Sequence, residues 1–342
     1  MMTIVRPTAV HRLAASVDEL LAGAERRETF VNTDNRSTAA FERVWIDGRP
    51  HVVKYVHVDD DFALRVSGDL GCRAVQAWAA GLLDAAPDLV DHAVVGAAYG
   101  YGRNGWGAAL LMRDVSADLA VVVGRPFTPA EHEIFVDRLA GWCAATWDFH
   151  DDPDDPLLLP YPARWAFFGQ PALEGEAELG WPERVPPIAA EGWARFWERA
   201  PRPVAGVVRE LWRDPAPLAA ALRATPSCLV HGDFKASNMG IAADGRMVLI
   251  DWAYVGEGPA GHELGWYVAL NREKLPASKE DTIDAFRTAL GRHGVDTAAW
   301  WERQLGLSLL GTVVQFGWEK ALGDDDELGW WCAAARDGAR FL

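Results

Sequence analysis

The sequence predicts an α+β fold in two lobes, and three observations lead there. The first third of its 342 residues alternates apolar and polar positions in short runs bounded by turn residues, the pattern of half-buried strands. One helical pattern interrupts those runs. From about residue 128 the spacing becomes helical and stays so almost to the C-terminus, apart from one β-rich insert. Strands with one helix, then mostly helices, give a segregated α+β layout. The lobes divide near Arg113, into residues 1–113 and 114–342.

AAFERVWI and HVVKYVHV flank Asp47-Gly48 and predict a hairpin. Residues 66–83, VSGDLGCRAVQAWAAGLL, place Val75, Trp78, Ala79 and Leu82 on one side of a helix. HAVVGAAY and WGAALLMRD read as two further strands joined by GYGRNG. That loop matches G-x-G-x-x-G, but a dinucleotide fingerprint opens a helix and here a strand follows, so it reads as a hairpin loop. PAEHEIFVDRLAGWCAATWDF begins a helix with proline near its first turn. After the Pro- and Asp-rich HDDPDDPLLLPYP, the runs EGWARFWERA and VAGVVRELWR are helical. Core packing accounts for most of the 17 tryptophans, leaving one or two to line a pocket.

A formal charge of −16 argues against nucleic acid as a partner, because that affinity rests on cations neutralising phosphates. No apolar run approaches the roughly 20 residues that span a bilayer. The N-terminal MMTIVRPTAVHRLAAS lacks the apolar core of a secretory signal. The four cysteines are scattered without C-x-x-C spacing, which suits a reducing compartment. A cytoplasmic protein is expected.

The chemistry concentrates in VHGDFKASNM, residues 230–239, and LIDWA, residues 249–253. Such a stretch is either a polar turn between strands or a place that handles phosphate and metal. The apolar run MVLI predicts a short strand delivering Asp251, and Asp244-Gly245 turns it back toward Asn238. An amide oxygen and a carboxylate are hard ligands suited to Mg²⁺ completed by waters and phosphates. Asp233 adds a free carboxylate beside them, and Lys235 a cation for the transferring phosphoryl group. Asp233 and Asn238 fit the D-x-x-x-x-N spacing of a kinase catalytic loop. Lys54 is the first lysine of the chain and sits centrally in the apolar strand VVKYV.

VHGDFKASN followed by LIDWA resembles the H-G-D-x-x-x-x-N and I-D-[WF] pair of aminoglycoside phosphotransferase and choline kinase-like enzymes. The resemblance is strongest over residues 228–270. It implies a protein-kinase-like fold, with a small antiparallel sheet lobe carrying one helix and a larger helical lobe. It also implies ATP or GTP as donor, Mg²⁺, and a small hydroxylated acceptor such as an antibiotic or a sugar-like metabolite. Asp233 would then be the catalytic base, joined by Lys235 at the γ-phosphate and by His231, which with Gly232 shapes the loop. Asn238 and Asp251 would hold magnesium, and Lys54 would meet the α- and β-phosphates. Ser37 and Thr38 fall where the phosphate-covering hairpin should lie, and Leu111, Met112 and Arg113 match the hinge whose backbone pairs with adenine.

Two departures from the family stand out. No glutamate occurs between Lys54 and Trp106, and Ala74 stands where a helix glutamate would pair with the lysine. Asp69 and Gln76 are the candidates to replace it, the alternative being an unpaired lysine. Cys143 occupies a place where relatives often carry histidine, and reads as packing. The segment after Asp251 is short, without D-F-G or A-P-E, which favours a small-molecule acceptor over a protein. Glu257, Glu263 and the run Asp324, Asp325, Asp326, Glu327 are candidates to attract an amine-bearing acceptor, with Trp266 or Trp318 to stack on it. A non-catalytic nucleotide-binding module and a housekeeping sugar or amino-alcohol kinase are the alternatives.

Overall fold

The computed structural model describes residues 10–30, 40–119, 125–152, 154, 156–181 and 184–342. A short helix α1 (Val17–Leu20) leads into β1 (Ala24–Phe30), β2 (Ala40–Ile46) and β3 (Arg49–Val56). Helices α2 (Phe62–Val66) and α3 (Arg73–Ala79) follow, then β4 (Val90–Asp91), β5 (Val94–Tyr101) and β6 (Gly107–Arg113). Five of these strands form an antiparallel sheet in the order β1-β2-β3-β6-β5. The β2–β3 turn has positive φ at both Asp47 (50°) and Gly48 (70°), which matches the twist of the strands it joins. GYGRNG is a hairpin loop between β5 and β6, as its context required.

Alternation along β3 sorts its side chains. Val53 and Tyr55 pack with Val44, Ala109 and Leu111 on one face. Lys54 and Val56 face the other way, into a cleft shared with Leu110 and Met112.

Two expectations need correction. The helix read over 66–83 is confined to Arg73–Ala79. Gly68 (φ 65°) ends α2, and the Asp69 carboxylate accepts the Arg73 N–H at 3.0 Å, so a new helix starts there. Strand β1 was not anticipated: AERRETF is exposed along its middle and shows no alternation, because it lies at the sheet edge.

The larger region begins with α4 (Pro129–Ala145), whose Thr128 and Glu131 form a reciprocal capping box with proline at the first position. Helices α5 (Gln170–Leu179), α6 (Val185–Arg199), α7 (Arg202–Arg213) and α8 (Ala216–Arg223) come next. The β-rich insert holds β7 (Cys228–Val230), β8 (Met239–Ile241), β9 (Met247–Leu249) and β10 (Gly256–Gly258). Strand β9 pairs antiparallel with β8 and parallel with β4, and β10 pairs with β7. Then come α9 (Ala260–Leu270), α10 (Lys279–Arg292), α11 (Trp301–Leu322) and α12 (Asp325–Gly338). Trp142, Trp165, Trp193 and Trp331 are fully buried in the core of this region.

The sheet and the helices also meet through α2. Arg65 grips Glu176 of α5 with two parallel bonds, Nε to Oε1 at 2.9 Å and Nη2 to Oε2 at 2.8 Å. The guanidinium lies 4.4 Å from the Trp181 ring centre, and both ionic side chains are largely buried. Among the described residues, no helix is long and apolar enough to cross a membrane.

Thr128→Ala removes one half of the α4 capping box. It should lower the unfolding free energy by about 1 kcal/mol in urea titrations without altering activity. An unchanged midpoint would show that the box contributes nothing to α4.

Candidate functional site

The segment between β7 and β8 carries VHGDFKASN as a tight loop, and Asp251 follows β9 directly beside it. The β8–β9 hairpin brings the two together: the Ile250 N–H donates to the Asn238 carbonyl at 3.0 Å. Asp251 itself adopts φ 68°, an uncommon conformation for a residue with a Cβ, held where its carboxylate is used.

Asp233 is 4% exposed, and its Oδ2 accepts from Lys235 Nζ at 2.7 Å and from Asn238 Nδ2 at 2.8 Å. The Asn238 amide also donates to the Asp233 carbonyl at 3.0 Å, which leaves its oxygen turned to the Ser237 hydroxyl at 3.4 Å. Burial raises the Asp233 pKa, against the pull of Lys235. Asp251 behaves oppositely. Burial alone would raise it, but Lys54 and Lys235 outweigh that and bring it to about 2. Lys54 Nζ sits 2.7 Å from Asp251 Oδ1, across 197 residues of sequence. Burial would weaken that ammonium's hold on its proton, yet Asp251, Asp61 and Asp233 together hold its pKa above the ordinary value.

Lys54 therefore takes its counter-charge from Asp251. Asp69 turns to Arg73 instead. Ala74 lines the cleft beside Lys54, together with Val94, Leu110, Met112 and Asp251.

His231 was placed in the catalytic set, and the geometry gives it another task. It is fully buried, Nε2 donates to the Ile250 carbonyl at 3.0 Å, and Nδ1 accepts the Asp233 N–H at 3.2 Å. Burial lowers its pKa to about 4, so it stays neutral and fixes the loop instead of moving protons. Gly232 has φ 80°, and a Cβ there would meet the Tyr254 carbonyl at 2.8 Å and Arg164 Nη1 at 2.9 Å. Only glycine fits.

The acidic and aromatic candidates for the acceptor also change role. Glu263 is fully buried; it accepts the His231 N–H in a short bond and the Gly232 N–H at 3.2 Å. Glu257 is buried against His150 Nδ1 at 3.0 Å and the Asp151 N–H at 3.2 Å. Trp266 is 3% exposed and donates to Gln315 Oε1 at 3.1 Å. Asp324 caps α12, Asp325 pairs with Arg199 and Glu327 with Lys279. Trp318 packs on Phe168.

In the hinge segment, Met112 faces the cleft while Leu111 points to the opposite face of the sheet. The Arg113 N–H is taken by the Ala93 carbonyl at 2.9 Å and its guanidinium by Asp91, so Arg113 offers no amide to a base. Ser37 and Thr38 lie outside the described residues.

Sequence reasoning missed two supports of the loop. Arg164, fully buried, donates to the Tyr254 carbonyl at 3.2 Å and the Glu257 carbonyl at 2.9 Å, and burial lowers its pKa to about 10. Asn271 holds the loop's other end. Neither lies in a recognisable motif; a cation or amide in an otherwise apolar run is the only signal.

For a divalent cation, the candidate donors are the Asn238 amide oxygen and the Asp251 carboxylate, held ionised by its low pKa. Among the described residues no group of three or more His, Cys, Asp or Glu is placed to hold an ion. An amide oxygen and an ionised carboxylate are hard donors of the kind that suits Mg²⁺ completed by other ligands.

The phosphotransferase enzyme family matches residues 71–300. Among solved structures, a microcompartment-associated aminopropanol kinase superposes with TM-score 0.54 at 10% identity, covering 95% of this chain and 98% of that one. A choline kinase from Streptococcus pneumoniae gives TM-score 0.50 at 11% identity, with the same coverage of each chain. At such identities the likeness is one of fold. No curated protein matches the sequence.

Glu263 sets a pH dependence. Burial pushes its pKa from 4.5 up to about 7, against the Gly232 N–H and Arg164. A group raised in the folded state stabilises the fold fully below its unfolded pKa, and that contribution is lost as pH rises through the folded value. Wild type should therefore lose urea stability between pH 4.5 and about 7 relative to Glu263→Gln, which cannot titrate. A constant difference between the two proteins across that range would contradict the assignment.

Proposed function

The chain belongs to the phosphotransferase enzyme family, and from that premise we propose that it moves the γ-phosphate of ATP or GTP to a hydroxyl of a small molecule, an antibiotic or a sugar-like metabolite. Asp233 is the catalytic base. The observation that carries this reading is its carboxylate, buried and aimed by Lys235 and Asn238, with Asp251 close enough to raise its pKa.

In this reading the nucleotide lies in the cleft beneath the sheet, in a lobe ending at Arg113, with Lys54 neutralising its α- and β-phosphates. Residues 114–342 supply the loop and the acceptor site. Asn238 and Asp251 would hold Mg²⁺, which would supply positive charge to offset that of the phosphates. The acceptor hydroxyl gives its proton to Asp233 as its oxygen bonds to the γ-phosphorus. The bond from that phosphorus to the bridging oxygen breaks, and the nucleoside diphosphate leaves. Lys235 neutralises charge on the phosphoryl group in transit. Such a reaction is mostly positioning and charge neutralisation, and this inventory provides both. With Glu257, Glu263 and Trp266 buried, none of them favours a cationic acceptor, so neutral sugars stand beside amine-bearing aminoglycosides and amino alcohols. A cytoplasmic setting, where nucleotide and Mg²⁺ are abundant, fits the reading.

The deciding experiment is an acceptor screen read by release of ADP or GDP, across aminoglycosides, macrolides, nucleoside antibiotics, sugars and amino alcohols. Asp233→Asn should lower kcat on the best acceptor by about 10²–10⁴-fold while nucleotide binding persists. A variant with undiminished kcat would remove Asp233 from the role of base.

A further inference from the structure

One buried helix holds the catalytic loop at two places. Near its start Glu263 takes the N–H groups of His231 and Gly232. At its end stands Asn271, 1% exposed, which caps α9. Its Oδ1 accepts the Ala236 N–H at 2.6 Å, while Nδ2 donates to the Phe234 carbonyl at 3.2 Å and to the Tyr267 carbonyl at 2.9 Å. The partners fix the amide's orientation, because a flipped side chain would set oxygen against two carbonyls and NH₂ against an N–H.

The two loop groups gripped by Asn271 flank a single residue, Lys235. Its side chain is 38% exposed and reaches Asp233 Oδ2 at 2.7 Å. A lysine stem has about 2 kcal/mol of rotamer entropy, so an ammonium half in solvent stays on target only if its backbone is fixed. Lys235 lies in a short loop whose own bonds are local: Lys235 N–H to the Asp233 carbonyl and Asn238 N–H to the Lys235 carbonyl, both 2.9 Å. Asn271 ties that loop to the core on both sides of the lysine.

We infer that Asn271 is the positioning residue for Lys235. By bracketing the lysine's backbone it holds the ammonium between Asp233 and the phosphoryl group. The inference rests on the reading that Lys235 neutralises charge in transit. Asn271 touches neither substrate nor nucleotide and acts through Lys235 alone. An amide is the side chain that can do this, since the task needs one acceptor and two donors from one planar group.

The test is a double-mutant cycle between Asn271→Ser and Lys235→Ala. Turnover is followed as ADP release from Mg²⁺–ATP with the best alcohol acceptor, or with water, and amide hydrogen exchange is followed over residues 234–238. Asn271→Ser should lower kcat about tenfold, the size of one displaced hydrogen-bonded group, with nucleotide KM nearly unchanged. Exchange at Ala236 should accelerate. In the Lys235→Ala background the same substitution should cost nothing further. Equal losses in both backgrounds, or unchanged exchange at Ala236, would overturn the inference while leaving Lys235's task intact. Full kcat in Lys235→Ala alone would instead remove the task assigned to Lys235, and the inference with it. If Asn271→Ser does not fold, Asn271→Asp keeps the acceptor for Ala236 and loses only the donors. It should then keep Ala236 protected and still lower kcat, and wild-type turnover there would also overturn the inference.

Discussion

The buried Glu263 carboxylate, accepting the main-chain N–H groups of His231 and Gly232, is the contact on which the rest of the site depends. Residues 231–234 of the loop are buried, so their peptide groups need partners from the protein. The neighbouring helix supplies them, from Glu263 at one end and Asn271 at the other. His231, Arg164 and the β8–β9 hairpin complete the set. With Glu263, His231, Arg164 and the hairpin fixing their side of the loop, the Asp233 carboxylate has one place to point, and Asn271 fixes the backbone of Lys235.

That rigidity gathers charge at close range. Asp251, Asp61 and Asp233 crowd around Lys54, and Lys235 adds a second cation beside Asp233. The pKa values separate accordingly. Asp251, beside Lys54, is held ionised, and Asp233, with burial dominating, is pushed the other way. Two carboxylates of one type thus acquire opposite affinities for a proton, the split that the proposed division into ligand and proton acceptor requires. The absent helix glutamate is compensated in the same cluster, because Asp251 serves as the counter-charge of Lys54.

The sequence was most readable where short-range rules act. Asp47-Gly48 specified its hairpin, Thr128-Pro129 began α4, and the spacing of Asp233, Asn238 and Asp251 pointed to one neighbourhood before any fold was known. It was least readable where the outcome depends on what a side chain meets from elsewhere in the chain. Glu257, Glu263 and Trp266 looked like a receptive acidic and aromatic surface, yet each is buried against groups distant in sequence. Charge along a sequence says nothing about which carboxylates face inward. Strand β1 escaped notice because an exposed edge strand needs no alternation, and the 66–83 helix was overextended because Gly68 and Asp69 restart the chain.

The Arg65–Glu176 pair joins α2, which follows the sheet strand β3, to α5 of the helical region. Removing two such charges from water offsets much of their attraction, so the pair adds little net stability. What a two-pronged guanidinium–carboxylate contact adds is fixed length and direction. It works as a spacer bar, setting the distance at which α2 and α5 sit rather than how tightly they cohere.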